Sequence, residues 1–513
     1  MAALEAFFTT LDGIVWGWSP VSFTPPLLVI LLFGTGVYLT VGLRFMPIYR
    51  LPAAIALLFK KGDSNAEGDG EISPAAALFT ALSATIGTGN IAGVATAITL
   101  GGPGAVFWMW MTALFGMATK YAEAVLAVTY REIDERGMHV GGPMYYIKNG
   151  LGKRWLWLAW AFAIFASLAA FGVGNLVQAN SVAGVVESNM GVPGWITGAV
   201  MAGLTLAVIL GGVRSIARVA SVLVPVMAIF YVGGALLVLV VNAPNVPAAV
   251  GSIFSNAFSG TAAAGGFLGA AFAAALREGA NRGSFSNEAG LGSAAIAHAS
   301  ARTRNPHRQG TIAMLGTFID TIIVCTMTAL VILTAPPVFE YLQAGGQTLT
   351  DIPVWQAGIA SAADVTAQAF GAALPGGQWI VTFGLMVFAF TTVLGWGFYG
   401  ERCMEFMAGV RSIKPYKIAW VIVVFIGAVW SNDMAWAAAS AGNGLMAAPN
   451  LIALLALSGT VFAIARNHGA RPGDEKDHAI HEEATPMPAP TTGDEQPEHL
   501  DEFLADDQTP DRS

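Results

Sequence analysis

Residues Thr85–Gly93, Thr-Ile-Gly-Thr-Gly-Asn-Ile-Ala-Gly, set hydroxyls, an amide and bare backbone inside an apolar stretch, 74–98, long enough to cross a bilayer. Glycine and asparagine are poor helix formers, so a helix through this stretch should break near its centre. In lipid, a broken helix is tolerable only where its freed N–H and C=O groups face protein or a polar cavity. The chemistry open to such a site is coordination. Backbone N–H groups at a helix N-terminus suit an anion, and carbonyls and hydroxyls suit a hard cation. The stretch predicts a discontinuous helix lining a binding site at the membrane midplane, as secondary transporters have.

The pattern recurs. Residues 283–290 read Gly-Ser-Phe-Ser-Asn-Glu-Ala-Gly, and Asn287–Gly290 matches Asn90–Gly93 as Asn-x-Ala-Gly. Small residues that let helices pack closely are the alternative reading. Charged residues cluster nearby. Lys120 and Glu123 stand three apart and can pair on one helix. Arg277, Glu278, Arg282 and Glu288 bracket the second break, and Asp320 stands alone in an apolar run. Such groups are costly in lipid and should face the interior and pair. A gate or structural network is the expected role, with Asp320 or Glu288 as a proton acceptor the alternative.

The elements that must hold these residues are transmembrane helices. The chain is 55% hydrophobic and 11% charged, whereas soluble domains carry about 25% charged residues. This implies an all-α polytopic membrane protein with eleven spans, at 25–43, 74–98, 103–129, 156–180, 194–213, 219–241, 264–298, 310–334, 378–400, 417–432 and 446–465. A break at 279–287 accounts for the length of the seventh. Loops after the odd-numbered spans hold the basic residues, among them Arg44, Lys60, Arg131, Arg136, Arg214, Arg302, Arg402, Lys417 and Arg466, and the alternate loops hold no Lys or Arg. That asymmetry places the N-terminus outside and the C-terminus in the cytoplasm. Residues 1–73 are then an extra span with a cytoplasmic loop. Residues 74–243 and 244–466 form two five-span halves of opposite orientation, each opened by its broken helix, which is an inverted repeat. Segments 244–263 and 335–377 are expected to lie as short helices over the outer mouth.

Residues 467–513 hold thirteen Asp/Glu against three Lys/Arg and explain the net charge of −8. This acidic tail should be a disordered cytoplasmic extension. The N-terminus has no basic region of a cleaved signal peptide. Cys325 and Cys403 form neither a disulfide framework nor a metal motif. No phosphate loop, His-Glu-x-x-His or nucleophile–base set suggests an enzyme, and nothing suggests a nucleic-acid partner.

Thr85–Gly93, then Gly101-Gly102-Pro103, Lys120-Tyr-Ala-Glu123, Gly141-Gly-Pro-Met-Tyr-Tyr-Ile147 and Asn287-Glu-Ala-Gly-Leu-Gly-Ser293 resemble the alanine or glycine:cation symporter family, over nearly the whole chain except the tail. The resemblance implies the leucine-transporter fold, Na+ as coupling ion without other cofactor, a small neutral amino acid as substrate, and a plasma (inner) membrane location among lipid. Gly-Thr-Gly-Asn is similar to the Gly-Leu-Gly-Asn break of the neurotransmitter:sodium symporters. Thr88, Gly89 and Asn90 would then clamp the substrate carboxylate, and carbonyls around Gly283, Ser284, Phe285 and Ser286 would meet its ammonium group. Thr391 and Thr392 resemble the paired hydroxyls of the sodium site in this fold, completed by carbonyls of Ser83 and Ile86. A second ion at the Thr85 carbonyl and the Asn90 side chain is a further expectation. Threonines that bond back to their own helix are the plain alternative. Gln178 would face the pocket, or bond a neighbouring helix. Phe171, Phe285 and Trp396 could wall the pocket, Trp396 lying one turn from Thr392. A proton-coupled permease and a passive channel are the competing functions.

Overall fold

The computed structural model describes residues 2–17, 26–59, 69–258, 267–336, 338, 340, 362–430 and 432–467. The expectations for the acidic tail, and for much of 335–377, fall outside the described residues. Among those described the chain is helical apart from a small antiparallel pair, Glu132–Ile133 with His139–Val140, and one parallel bridge, Ile72 to Ala301.

Six described helices are long and apolar enough to cross a membrane: Lys153–Met190, Gly212–Val241, Pro306–Thr334, Gln378–Ala408, Val410–Val429 and Ala439–Ala456. The first broken helix is too short by that measure because it is in pieces. It runs as Pro74–Thr85, a single tight turn Thr88–Asn90, and Ala92–Gly101. Its start is fixed locally: the Ser73 hydroxyl accepts the Ala76 N–H at 3.2 Å, and Pro74 occupies the first helical position.

The second break lies further along than expected. The helix Phe267–Asn287 continues through 279–287, and the chain unwinds after it at 288–292, where Glu288, Gly290 and Gly292 take positive φ of 56°, 88° and 81°. Ser293–Ala299 then resumes the helix. The reason is packing. A Cβ on Gly283 would lie 2.3 Å from the Thr112 hydroxyl of the neighbouring helix Gly104–Thr129. That glycine brings two helices together and leaves the backbone wound.

Three further features depart from the expected spans. The N-terminal helix Ala2–Gly17 packs on Asn432–Ala456, with the Trp16 indole donating to the Ser440 carbonyl at 3.0 Å. The expected span 446–465 is two helices, Asn432–Ala456 and Ser458–Asn467. Two spans contain wide π turns, Gly172–Leu176 and Phe318–Cys325.

The odd-numbered loops meet at one end. The Arg131 guanidinium donates to the carbonyls of Asp69, Ala299, Ala301 and Thr303 at 2.7–3.0 Å. Arg136 reaches Glu405 at 3.1 Å, and Lys417 joins Glu401 at 3.2 Å and the Ile209 carbonyl at 2.9 Å. At the opposite end the Asn245 amide donates to the Thr334 carbonyl at 3.1 Å.

Candidate functional site

At the end of Pro74–Thr85 the Ile86 N–H still donates to the Leu82 carbonyl at 2.8 Å. The next two donors leave the helix. Gly87 N–H turns to the Asn90 side-chain oxygen at 2.9 Å, and Thr88 N–H to the Gln178 side-chain oxygen at 3.2 Å. The carbonyls of Ser83 and Ala84 therefore lose the i+4 donors that a continuing helix would supply. Beside them, the Thr392 hydroxyl lies 3.3 Å from the Ile86 carbonyl and 2.9 Å from the Phe388 carbonyl. Of the expected cation ligands, Ile86 and Thr392 are thus in contact, and Ser83 and Thr85 lie in the last turn of the same helix end. Thr391 differs: its hydroxyl donates only to the Phe388 carbonyl, at 2.9 Å. Adjacent residues on a helix point about 100° apart, so the two hydroxyls do not face the break alike.

Glycine is required at this junction. A Cβ on Gly87 would lie 2.5 Å from the Thr392 hydroxyl oxygen, and one on Gly89 would lie 3.2 Å from Ser286 Cα and 3.3 Å from the Phe285 ring. The first break is therefore pressed directly against the last turn of Phe267–Asn287.

Gln178 faces the break and answers Thr88 reciprocally, its amide nitrogen donating to the Thr88 hydroxyl at 3.1 Å and to the Val173 carbonyl at 2.9 Å. The Asn90 amide nitrogen donates to the Asp320 carboxylate at 2.7 Å and contacts the Cys325 sulfur at 3.4 Å. Asp320 also accepts from Ser286, at 2.8 Å, and from Thr321, at 2.7 Å. It is fully buried, and among the described residues no ion pair reaches it. The acid that stands alone in its apolar run therefore hydrogen-bonds to both broken helices. A sequence shows that Asp320 sits in an apolar span. It does not show that the π turn Phe318–Cys325 carries it against Asn90 and Ser286.

Several expected site residues sit elsewhere. The carbonyls of 283–286 belong to a wound helix, and that of Ser284 is taken by the Glu288 N–H at 2.9 Å. Gly283 and Ser284 are thus not an unwound substrate clamp. Phe285 and Ser286 do flank Gly89, and the Phe285 ring stacks on Trp436 at 5.2 Å, with the Arg282 guanidinium 5.3 Å from the same indole. Phe171 faces away, packing on Tyr416 and Trp420 at 5.5 and 5.3 Å. In a regular helix, residues seven apart share a face, so Phe171 should accompany Gln178. The π turn Gly172–Leu176 lies between them and rotates one against the other.

The second break has its own cage. The expected Lys120–Glu123 pair does not form. One Glu123 oxygen instead accepts the N–H groups of Gly290 and Gly292, both at 3.0 Å, and the Asn450 amide at 2.8 Å. The unwound loop offers those N–H groups, and a buried carboxylate needs such donors in place of water. Tyr146 in turn donates to Asn450. Glu288 accepts from the Trp396 indole at 2.8 Å and from the Ser293 hydroxyl. The indole N–H of Trp396 is thus directed to the second break.

The arrangement has buried carbonyls without helical donors and a hydroxyl at one side of the first break, and a buried acid bridging both broken helices. It suits a small cation and a small zwitterion. Comparison with known proteins gives the family. The family model described as "Sodium:alanine symporter family" matches residues 1–482. The sodium/alanine symporter AgcS of Methanococcus maripaludis is 51% identical over 457 residues, which are 88% of this chain and 95% of that protein. The probable sodium/glutamine symporter GlnT of Bacillus subtilis is 36% identical over 458 residues, 89% of this chain and 91% of its own length. Among solved structures, that of MhsT in complex with L-phenylalanine aligns with a TM-score of 0.49 at 14% identity, covering 77% of this chain and 89% of MhsT.

Proposed function

This chain belongs to the sodium:alanine symporter family, and on that premise we propose that it is a sodium-coupled symporter importing a small neutral amino acid, alanine first and glycine second, by alternating access. It is a multi-pass membrane transporter of amino acids and cations, not an enzyme. Its resting place is the plasma membrane, with the basic loop end in the cytoplasm.

One observation carries the reading. The Thr392 hydroxyl meets the Ile86 carbonyl beside two carbonyls that have lost their helical donors. Sodium is a hard cation that replaces its water with such oxygens. A substrate carboxylate would take the Thr88 and Gly89 N–H groups, with Gln178 turning its amide nitrogen toward the carboxylate. The ammonium group would then lie toward Asp320 and Ser286, which gives the buried acid a counter-charge. The same carboxylate, with Asn90 and the Thr85 carbonyl, would also suit a second sodium ion.

Purified protein in liposomes tests this with labelled alanine. Uptake above equilibrium under an inward sodium gradient, and none under a proton gradient alone, is the expected result. Accumulation driven by protons without sodium would replace the reading by a proton-coupled permease, with Asp320 as acceptor. Equilibration without accumulation under either gradient would make the protein a passive channel.

A further inference from the structure

The helix Gln378–Ala408 touches both breaks within a single turn. Thr392 meets the first through the Ile86 carbonyl, at 3.3 Å, and Trp396 meets the second through the Glu288 carboxylate, at 2.8 Å. We infer that the Trp396–Glu288 hydrogen bond couples the two broken helices, so that Trp396 is a positioning residue for sodium–substrate coupling and not a wall of the substrate chamber. The inference rests on the sodium reading of the Thr392 site.

The argument starts from stiffness. Four residues of α-helix span about 6 Å, and the hydrogen-bonded turn between them moves as a unit. A cation that draws Thr392 and the Ile86 carbonyl together therefore displaces Trp396 with Thr392. Trp396 has little freedom of its own. It is fully buried, and its Cβ lies so close to residue 174 that a Cβ there would stand 2.0 Å from it, which only glycine allows. The movement passes to the one polar group the indole has, its N–H on Glu288.

Glu288 is suited to receive it. It is a non-glycine residue in the left-handed region, φ 56°, a conformation that persists only when its surroundings enforce it. Its two carboxylate oxygens are shared between Trp396, on the long helix, and Ser293, at the start of the second half-helix. On its far side the loop is pinned, because Glu123 holds the Gly290 and Gly292 N–H groups. Glu288 is thus the one residue of the break linked through its side chain to the helix that carries Thr392. A push on its carboxylate is transmitted to the angle between Phe267–Asn287 and Ser293–Ala299.

Binding of labelled alanine to purified protein, at low and at saturating sodium, measures the coupling as the factor by which sodium raises alanine affinity. Trp396→Phe keeps an aromatic ring, a smaller one, and removes the N–H. Its alanine affinity at saturating sodium should stay within about threefold of wild type, while the coupling factor falls at least about fivefold. Glu288→Gln keeps an oxygen acceptor and should retain most of the coupling; Glu288→Leu should lose it as Trp396→Phe does. The double variant Trp396→Phe/Glu288→Leu should be no worse than either single change, since both remove one interaction. Additive losses would overturn the inference. So would an intact coupling factor in Trp396→Phe, or a widened competition profile toward valine and leucine with coupling unchanged, which would make Trp396 a chamber wall. A wild type whose alanine affinity ignores sodium would instead overturn the reading of the ion site.

Discussion

At the scale of single residues, the first break is governed by side chains that replace backbone partners. Gln178 takes the Thr88 N–H and returns a bond to the Thr88 hydroxyl, so it stands where a substrate carboxylate would arrive. The amide can serve both states because it carries an acceptor and a donor. Gln178→Glu removes the donor and adds a negative charge at that spot. The expected outcome is a loss of alanine affinity of at least about tenfold, or about 1.4 kcal/mol, with the protein still folded. Equilibrium binding in detergent measures it, and wild-type affinity would remove Gln178 from the substrate's path. The sequence made the residues of this break readable because glycine, threonine and asparagine have few other uses in the middle of an apolar span. It could not show the partners. Asp320 was visible as an isolated acid, but its bond to Asn90 closes 230 residues of chain and its bond to Ser286 closes 34.

At the scale of elements, the departures from the sequence reading have one cause: a helix's composition does not reveal its local pitch. The π turn at Gly172–Leu176 turns Phe171 out toward Tyr416 and Trp420. The glycines of 279–283 serve helix contact, and the unwinding is displaced to 288–292, where Glu123 waits for the freed N–H groups. The polytopic helical character was legible because apolar length is set by the bilayer; the breaks inside the helices depend on neighbours. The Thr391–Thr392 pair shows how such detail becomes measurable. From sequence the two hydroxyls are equivalent. In the structure only Thr392 reaches the first break. Replacement by valine removes a hydroxyl with little change of shape. Thr392→Val should raise the sodium concentration for half-maximal alanine uptake by about tenfold, and Thr391→Val by less than about threefold, if one ligand oxygen is lost in the first case and none in the second. Equal shifts in both variants would return the two hydroxyls to equal standing.

At the scale of the whole molecule, alternating access requires that one end open while the other is shut, and at the basic end one side chain joins two other segments that backbone bonds also hold together. Arg131 donates to carbonyls of residue 69, before the first broken helix, and of 299, 301 and 303, after the second. The Ile72–Ala301 bridge lies in the same seam. Burial among these groups pushes the pKa of Arg131 down to about 10, still well above neutral, so the charge persists at physiological pH. Hydrogen bonds to a charged donor contribute about 1.5–3 kcal/mol each, and even one such contribution changes an opening equilibrium by about tenfold or more. Arg131→Ala should therefore favour the state open at this end. A cysteine placed at Ala297, in a chain with Cys325 and Cys403 replaced, reports that state through its rate of modification by a maleimide applied from the cytoplasmic side. The rate should rise about tenfold in Arg131→Ala, and less in Arg131→Lys, which keeps a charge but not the planar fork that spans several carbonyls. Alanine uptake should fall, because a symporter resting open to the cytoplasm meets external sodium and substrate less often. Unchanged labelling together with unchanged uptake would show that the seam is closed by the Ile72–Ala301 backbone contact, with Arg131 filling space beside it.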